Sequence, residues 1–180
     1  ASYYIDSFSI TEAIPPPALN IVNNFEDGTL QGWGPRGGNP NTVVLTNTTE
    51  AFFDGARSLK TTGRTSGFMG PSLNVLPVLR KGYTYQVSVR ARLVTGELPT
   101  TLRVTVQRNV VGQTNPAFDN VANANNVTDQ AFVLLAGTYS FSTDVTALSL
   151  YVEAVSATAS YYIDAFQLTE IAPPPGPPGN

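Results

Sequence analysis

The stretch GYTYQVSVRARLVTG alternates without a break: Tyr83, Tyr85, Val87, Val89, Ala91 and Leu93 fall on one side, Thr84, Gln86, Ser88, Arg90 and Arg92 on the other. A period of two belongs to an extended strand with one buried face, because successive side chains leave the backbone in opposite directions. The next apolar run, TTLRVTVQR, repeats the pattern with Leu102, Val104 and Val106 inward and Arg103, Thr105 and Gln107 outward. Turn residues in the intervening TGELPT predict that these two strands pair antiparallel. In VTALSLYVEAV, within a strand predicted over residues 145–154, Leu148, Leu150, Val152 and Ala154 set the inner face and turn Ser149, Tyr151 and Glu153 outward. Further strands are predicted near residues 20–26, 42–47, 57–61, 132–141 and 160–169. The Asn- and Gly-rich region 109–130 breaks the pattern and predicts a long surface loop or an irregular sheet edge. No segment shows a convincing helical period. Some eight to ten short strands punctuated by turns predict an all-β chain, a β-sandwich of jelly-roll type.

A second regularity divides the chain. ASYYIDSFSITEAIPPP, from Ala1, recurs as ASYYIDAFQLTEIAPPP from Ala159 with 12 of 17 positions identical, and both copies run into prolines that suit a stiff spacer. Residues 1–13 therefore read as the closing strand of a preceding module, 14–19 as a Pro-rich linker, 20–171 as one complete module and 172–180 as a Pro/Gly-rich linker. The first copy, without a sandwich of its own, is expected to dock on a sheet edge.

Composition then removes whole classes of chemistry. There is no cysteine and no histidine, which excludes disulfides, thiol nucleophiles, His-based triads and Cys/His zinc sites. A net charge of -3 with 10 Lys+Arg offers no basic stripe for a phosphate backbone, so nucleic acid is not an expected partner. No apolar run approaches the ~20 residues of a membrane span, so no membrane contact is expected either.

What remains is the outward pair on one strand. An aromatic ring beside a carboxylate suits a sugar: the ring covers the apolar face of a pyranose and the carboxylate accepts from its hydroxyls. Burying about 50 Å² in such a contact is worth only about 1.3 kcal/mol, so several contacts would be needed. The pattern is equally consistent with a Tyr151 that pairs across strands and a solvated Glu153.

Five segments, FEDGTLQGWGPRGG, DGARSLKTTGRTSGFMGPSL, GYTYQVSVRARL, LYVEA and ASYYIDAFQLTE, occur in the order found in the family 22 carbohydrate-binding modules of bacterial xylanases, which the chain resembles over residues 20–170. The resemblance implies a jelly roll that holds xylan non-catalytically in a groove on one sheet face and carries a structural calcium ion away from that groove. By the family's motifs, the groove arginine falls on Arg36 of GPRGG and the groove tryptophan on Phe68 of RTSGFMG. The tyrosine preceding an aspartate falls on Phe118 of AFD, and the Tyr and Glu of YVE fall on Tyr151 and Glu153. Two departures matter: Phe68 is a smaller platform without an N–H, and Phe118 lacks a hydroxyl. The resemblance also implies that Glu26 of FEDG and Asp164 of YYID bring side chains to calcium, while the FDGARSL turn supplies main-chain carbonyls near Asp54 and Arg57. All-oxygen ligation suits a hard cation. The alternative is that Glu26 and Asp164 are ordinary turn or strand-end acids. Trp33, the sole tryptophan, is expected to pack in the core, and of Tyr161 and Tyr162 one is expected buried and one at the surface.

The function implied is that of a targeting module. Its expected partners are xylan or xylo-oligosaccharides, with mixed-linkage β-glucan as a second candidate, and a tandem copy and a catalytic xylanase domain in a secreted or cell-surface parent chain. A jelly-roll glycosidase or lyase is the rival, but glycosidases usually need two carboxylates about 5 to 9.5 Å apart. Glu153 is expected to have only Arg90, Arg92, Arg103 and Gln107 around it. A structural spacer domain is the third reading.

Overall fold

The computed structural model describes residues 18–172; the first ASYYID copy, its expected docking and most of the two linkers lie outside them. Within them the chain forms β1 (Asn20–Asn23), β2 (Trp33–Arg36), β3 (Val44–Thr48), β4 (Ser58–Thr62), β5 (Gly70–Asn74), β6 (Thr84–Leu93), β7 (Thr100–Val110), β8 (Ala117–Val127), β9 (Val133–Ser140), β10 (Val145–Ala154) and β11 (Tyr161–Ala172). One sheet has the order β3-β4-β11-β6-β9 with β1 also on β11, and the other the order β2-β5-β10-β7-β8. Every ladder is antiparallel. The two sheets pack face to face, and the predicted inner faces make the core: Val87, Val89, Ala91 and Leu93 of β6, Leu102, Val104 and Val106 of β7, and Leu148, Leu150 and Val152 of β10 are all buried in one cluster. The β-sandwich expected from the alternation is what forms.

The predicted pairing of β6 with β7 does not occur. β6 pairs with β11 and β9, and β7 with β10 and β8, in different sheets. The TGELPT connection is not a hairpin turn but a crossing between sheets. It starts with the Val94 N–H on the Ser160 carbonyl and is pinned halfway by the Gly96 N–H on Asp129 Oδ2 at 2.8 Å. Its length allows the ~10 Å step between packed sheets, and the apolar faces of β6 and β7 then meet across the core.

Region 109–130 holds β8, the edge strand of the five-stranded sheet, with two register shifts against β7. The irregular-edge reading holds and the loop reading does not: small Ala and polar Asn side chains hide the alternation, because an edge strand facing water on one side needs few large apolar groups. β2 and β5 escape prediction because WGPR and GPSLN carry prolines. Pro35 tolerates its place because β2 is an edge strand, and Pro71, opposite it, precedes the β10 ladder that begins at Ser72.

β11 is the other irregular element. Along one edge its residues 161–163 pair with β4 and 166–169 with β1. Between them the register to β6 shifts and Ala165 takes φ 46°. Asp164, opposite Arg90, lies by ordinary alternation on the outer face of the six-stranded sheet, the side opposite the other sheet, and the break that follows it returns Phe166 to the core.

Candidate functional site

Parity and register assemble the site on the outer face of the five-stranded sheet. Tyr151 of β10 lies opposite Thr105 of β7 and Ser72 of β5, Glu153 lies opposite Arg103, and Gln107 of β7 lies opposite Phe118 of β8. Arg36 ends β2, which pairs with β5, and Phe68 sits in the connection between β4 and β5. Arg36, Phe68, Thr105, Phe118, Tyr151 and Glu153 line one open cavity of about 510 Å³. The five residues that the family motifs singled out are thus brought together, and Thr105 joins them.

Arg36 organises the centre. Its Nη1 donates to Gln107 Oε1 at 2.7 Å and its Nε to the Phe68 carbonyl at 3.3 Å. Its Cζ stands 4.1 Å above the Tyr151 ring and 5.8 Å from that of Phe68. The guanidinium therefore lies on Tyr151 as on a bed. Tyr151 is on the outer face, as the alternation requires, but only 2% exposed, so its ring is not an open platform. Phe68 and Phe118, 43% and 55% exposed, are the open rings. Glu153 Oε1 accepts from Thr105 Oγ1 at 2.7 Å. Burial, and then the nearby Glu153 charge, push the Tyr151 hydroxyl above the ordinary tyrosine range while Arg36 opposes them, so it stays protonated and able to donate.

A second cavity of about 250 Å³, lined by Gly67, Phe68, Arg103, Glu153, Ala154 and Val155, shares Phe68 and Glu153 with the first and continues the groove. Of the neighbours expected around Glu153, Arg103 lies directly opposite it, while Gln107 is on the same outer face but farther along, opposite Ser149 and bonded to Arg36. Arg90 and Arg92 are not neighbours: they lie on the opposite sheet, where Arg90 covers Phe53 at 4.4 Å and Arg92 sits 5.5 Å from both Phe132 and Tyr162. The β6–β7 crossing moved them. Glu153 is the sole acid among the residues lining the two cavities. Asp119, on β8, faces inward and is held by Arg108 at 2.7 Å and by the Tyr139 hydroxyl.

One positioning residue went unnoticed in the sequence. Arg64 is 3% exposed and donates to six main-chain carbonyls, those of Met69, Ser156, Ala159, Ser66, Gly67 and Ala154. It staples the loop carrying Phe68 to the connection that follows β10. Burial lowers its pKa, yet the guanidinium stays charged, its field met by carbonyl dipoles instead of a carboxylate. A basic residue two positions before SGF gives no hint of this, because the acceptors are all backbone. Gly70 belongs to the same neighbourhood: a Cβ there would run into the Val152 carbonyl and the Tyr161 hydroxyl, which donates to that carbonyl at 2.7 Å.

Trp33 packs in the core, edge-on to Phe166 at 5.1 Å, with Nε1 donating to Asn23 Oδ1 at 3.0 Å. Tyr161 is buried, as expected of one of the pair. Tyr162 points to the outer face but is covered as well, beneath Lys60 and Arg92, with its hydroxyl donating to Glu50 Oε2 at 2.9 Å. Long cationic side chains lying across an aromatic ring hide it without any core.

The four residues assigned to calcium also converge, away from the groove. The 53–57 turn folds over the outer face of the six-stranded sheet. There Asp164 Oδ2 accepts from the Phe53 and Asp54 N–H groups at 2.7 and 3.2 Å, and Glu26 accepts from those of Ala56 and Arg57, the latter at 2.8 Å. The Asp54 carboxylate accepts from the Gly55 N–H at 2.9 Å, and the Arg57 guanidinium donates to Asn47. What the turn gives the two carboxylates is N–H groups. Asp164 is 0% exposed and has no cationic partner among the described residues. Burial raises its pKa despite those N–H bonds, and the Glu26 charge adds to the rise. Two carboxylates on one turn, one of them buried with main-chain N–H groups but no cation beside it, fit a hard divalent cation. Among the described residues no three acids stand close enough to share one ion, so carbonyls and water would complete such a shell.

Comparison with known proteins agrees with this geometry. A family profile described as carbohydrate binding domain matches residues 18–158. Endo-1,4-beta-xylanase C of Paenibacillus barcinonensis is 40% identical over 160 residues, 88% of this chain and 14% of that protein. Endo-1,4-beta-xylanase A of Thermoanaerobacterium saccharolyticum is 34% identical over 155 residues, 84% of this chain and 13% of that protein. The chain thus spans about a seventh of these curated relatives. The CBM22-1 xylan-binding domain of P. barcinonensis Xyn10C superimposes with a TM-score of 0.78 at 39% identity, covering 84% of this chain and 93% of that one. The CBM22-1–CBM22-2 tandem of the same enzyme gives 0.82 at 37%, covering 95% of this chain and 50% of that one. A profile spanning most of the described residues, and a relative matched almost end to end, place this chain in the carbohydrate binding domain family, as a family 22 carbohydrate-binding module.

Proposed function

We propose that this module binds xylan and linear xylo-oligosaccharides in the groove of the five-stranded sheet and so holds a xylanase catalytic domain of the same parent chain on plant cell-wall polysaccharide. The observation that carries this reading is Arg36, fixed between Tyr151, the Phe68 carbonyl and Gln107 at the centre of an open groove. A xylose unit laid on Phe68 or Phe118 would bury its apolar face, while the remaining guanidinium N–H groups, the Tyr151 hydroxyl and the Glu153 carboxylate meet its hydroxyls. Each ring contact supplies only about 1 to 2 kcal/mol, so a chain several sugars long is the ligand. The single acid in the groove supports binding over hydrolysis. That 37%-identical relative occurs in tandem with a second module, which supports a tandem arrangement here, and a xylanase acting on an insoluble polymer supports a secreted or cell-surface parent. A calcium ion held by Glu26 and Asp164 against the 53–57 turn is the cofactor we assign.

Calorimetry with linear xylohexaose and cellohexaose, on the protein as it stands and on Glu153→Ala, tests the reading. Heat of binding with xylohexaose, weakened at least tenfold by Glu153→Ala, is expected; absence of heat with any β-1,4-glycan would leave a structural spacer.

A further inference from the structure

Resting on the xylan reading, we infer that the Arg103 end of the groove is a subsite for a uronic acid branch, so that the preferred polymer is acid-substituted xylan. Arg103 is exposed, lies directly across from Glu153 in the β7–β10 ladder, and yet has no ion-pair partner among the described residues. The carboxylate that would neutralise it is turned away, its Oε1 held by the Thr105 hydroxyl at 2.7 Å. Between the two lies the cavity of about 250 Å³ floored by Gly67, Ala154 and Val155 and walled by the exposed Phe68 ring.

Charge sharpens the point. The whole chain carries a net charge of -3, but the charged residues lining the two groove cavities are two guanidiniums, Arg36 and Arg103, and one carboxylate, Glu153. A neutral glycan backbone does not need the second cation. Arg36 is held in place by Gln107, Phe68 and Tyr151 at the groove centre, whereas the fork of Arg103 has no protein partner among the described residues. Planar and always charged, it fits a carboxylate in two parallel hydrogen bonds. A backbone stacked on Phe68 puts a branch from the same or the adjacent sugar into this cavity. The common anionic branch on a β-1,4-xylan backbone is a pyranosyl uronate.

The test is calorimetry with three xylo-oligosaccharides of equal backbone length: unbranched, bearing one uronic acid, and bearing one neutral arabinose. The protein should bind the acid-branched one roughly threefold to tenfold more tightly than the unbranched one, as expected of a charge-assisted contact at a partly exposed site. The preference should vanish in Arg103→Gln and at high salt, while affinity for the unbranched ligand stays within about twofold, since Arg103 adds only local charge there. Equal affinity for the acid-branched and unbranched ligands, or an arabinose branch preferred as strongly as the acid, overturns the inference and leaves the xylan reading standing. A loss in Arg103→Gln that is the same for all three ligands also overturns it. Failure of all three to bind overturns both.

Discussion

Arg36 and Tyr151 act as one unit at the scale of single residues. The ring that periodicity alone would offer to a sugar is spent on supporting a guanidinium, and the open platforms are the two phenylalanines. Arg36→Lys keeps the charge but loses the planar stack and the fixed contact with Gln107. We expect xylohexaose affinity to fall about tenfold, ~1.4 kcal/mol, with the thermal midpoint unchanged; unaltered affinity in calorimetry would remove Arg36 from the binding machinery. Trp33 gives a complementary expectation. Buried on Phe166 and bonded to Asn23, its emission should report unfolding and stay constant through a saccharide titration. A ligand-dependent shift would mean that binding reaches the core.

Among elements, the loop between β4 and β5 has the most at stake, because Arg64 alone satisfies six of the carbonyls around it. Arg64→Met should lower unfolding free energy by about 3 kcal/mol or more in urea titrations, the cost of orphaning buried acceptors. Arg64→Lys, with three donors for those carbonyls, should recover only part. Gly70→Ala should destabilise by at least about 2 kcal/mol, because β5 would have to back away from β10. It should weaken sugar binding as well, since β5 carries β2 and Arg36. Stability loss with full affinity would show that β2 is positioned by something else. These features also mark where the sequence was legible. Val104, Leu150 and their neighbours announced their strands because a half-buried strand imposes period two. Pro35 and Pro71 concealed β2 and β5, and small residues concealed β8. TGELPT resembled a hairpin because turn chemistry fixes a local reversal but not which sheet the next strand joins.

The whole molecule keeps its two candidate sites on opposite outer faces. The groove crosses the five-stranded sheet; Glu26 and Asp164 lie on the other, joining the chain just after β1, an early turn and β11. An ion there would clip distant parts of the chain together and leave the groove untouched. We therefore expect calcium, against chelator, to raise the thermal midpoint by roughly 5 to 10 °C. In Asp164→Asn that shift should disappear, with metal-free stability equal or higher because a buried carboxylate has been removed. Xylohexaose affinity should be the same with and without calcium; a parallel loss would tie the two faces together.

By itself the sequence determined the fold class, the inner and outer faces of its long strands and the exclusion of thiol and histidine chemistry, which follow from side-chain identity and spacing and are local; the five groove candidates and the two candidate calcium acids it offered only through the family resemblance. Only the tertiary structure decided that β6 and β7 part company, that Arg36 covers Tyr151, that Arg64 anchors the Phe68 loop through backbone carbonyls, and that Arg103 has no ion-pair partner among the described residues beside a carboxylate turned toward Thr105. Each of these depends on which strands become neighbours and on which atoms compete for the same partner, and a one-dimensional pattern holds neither.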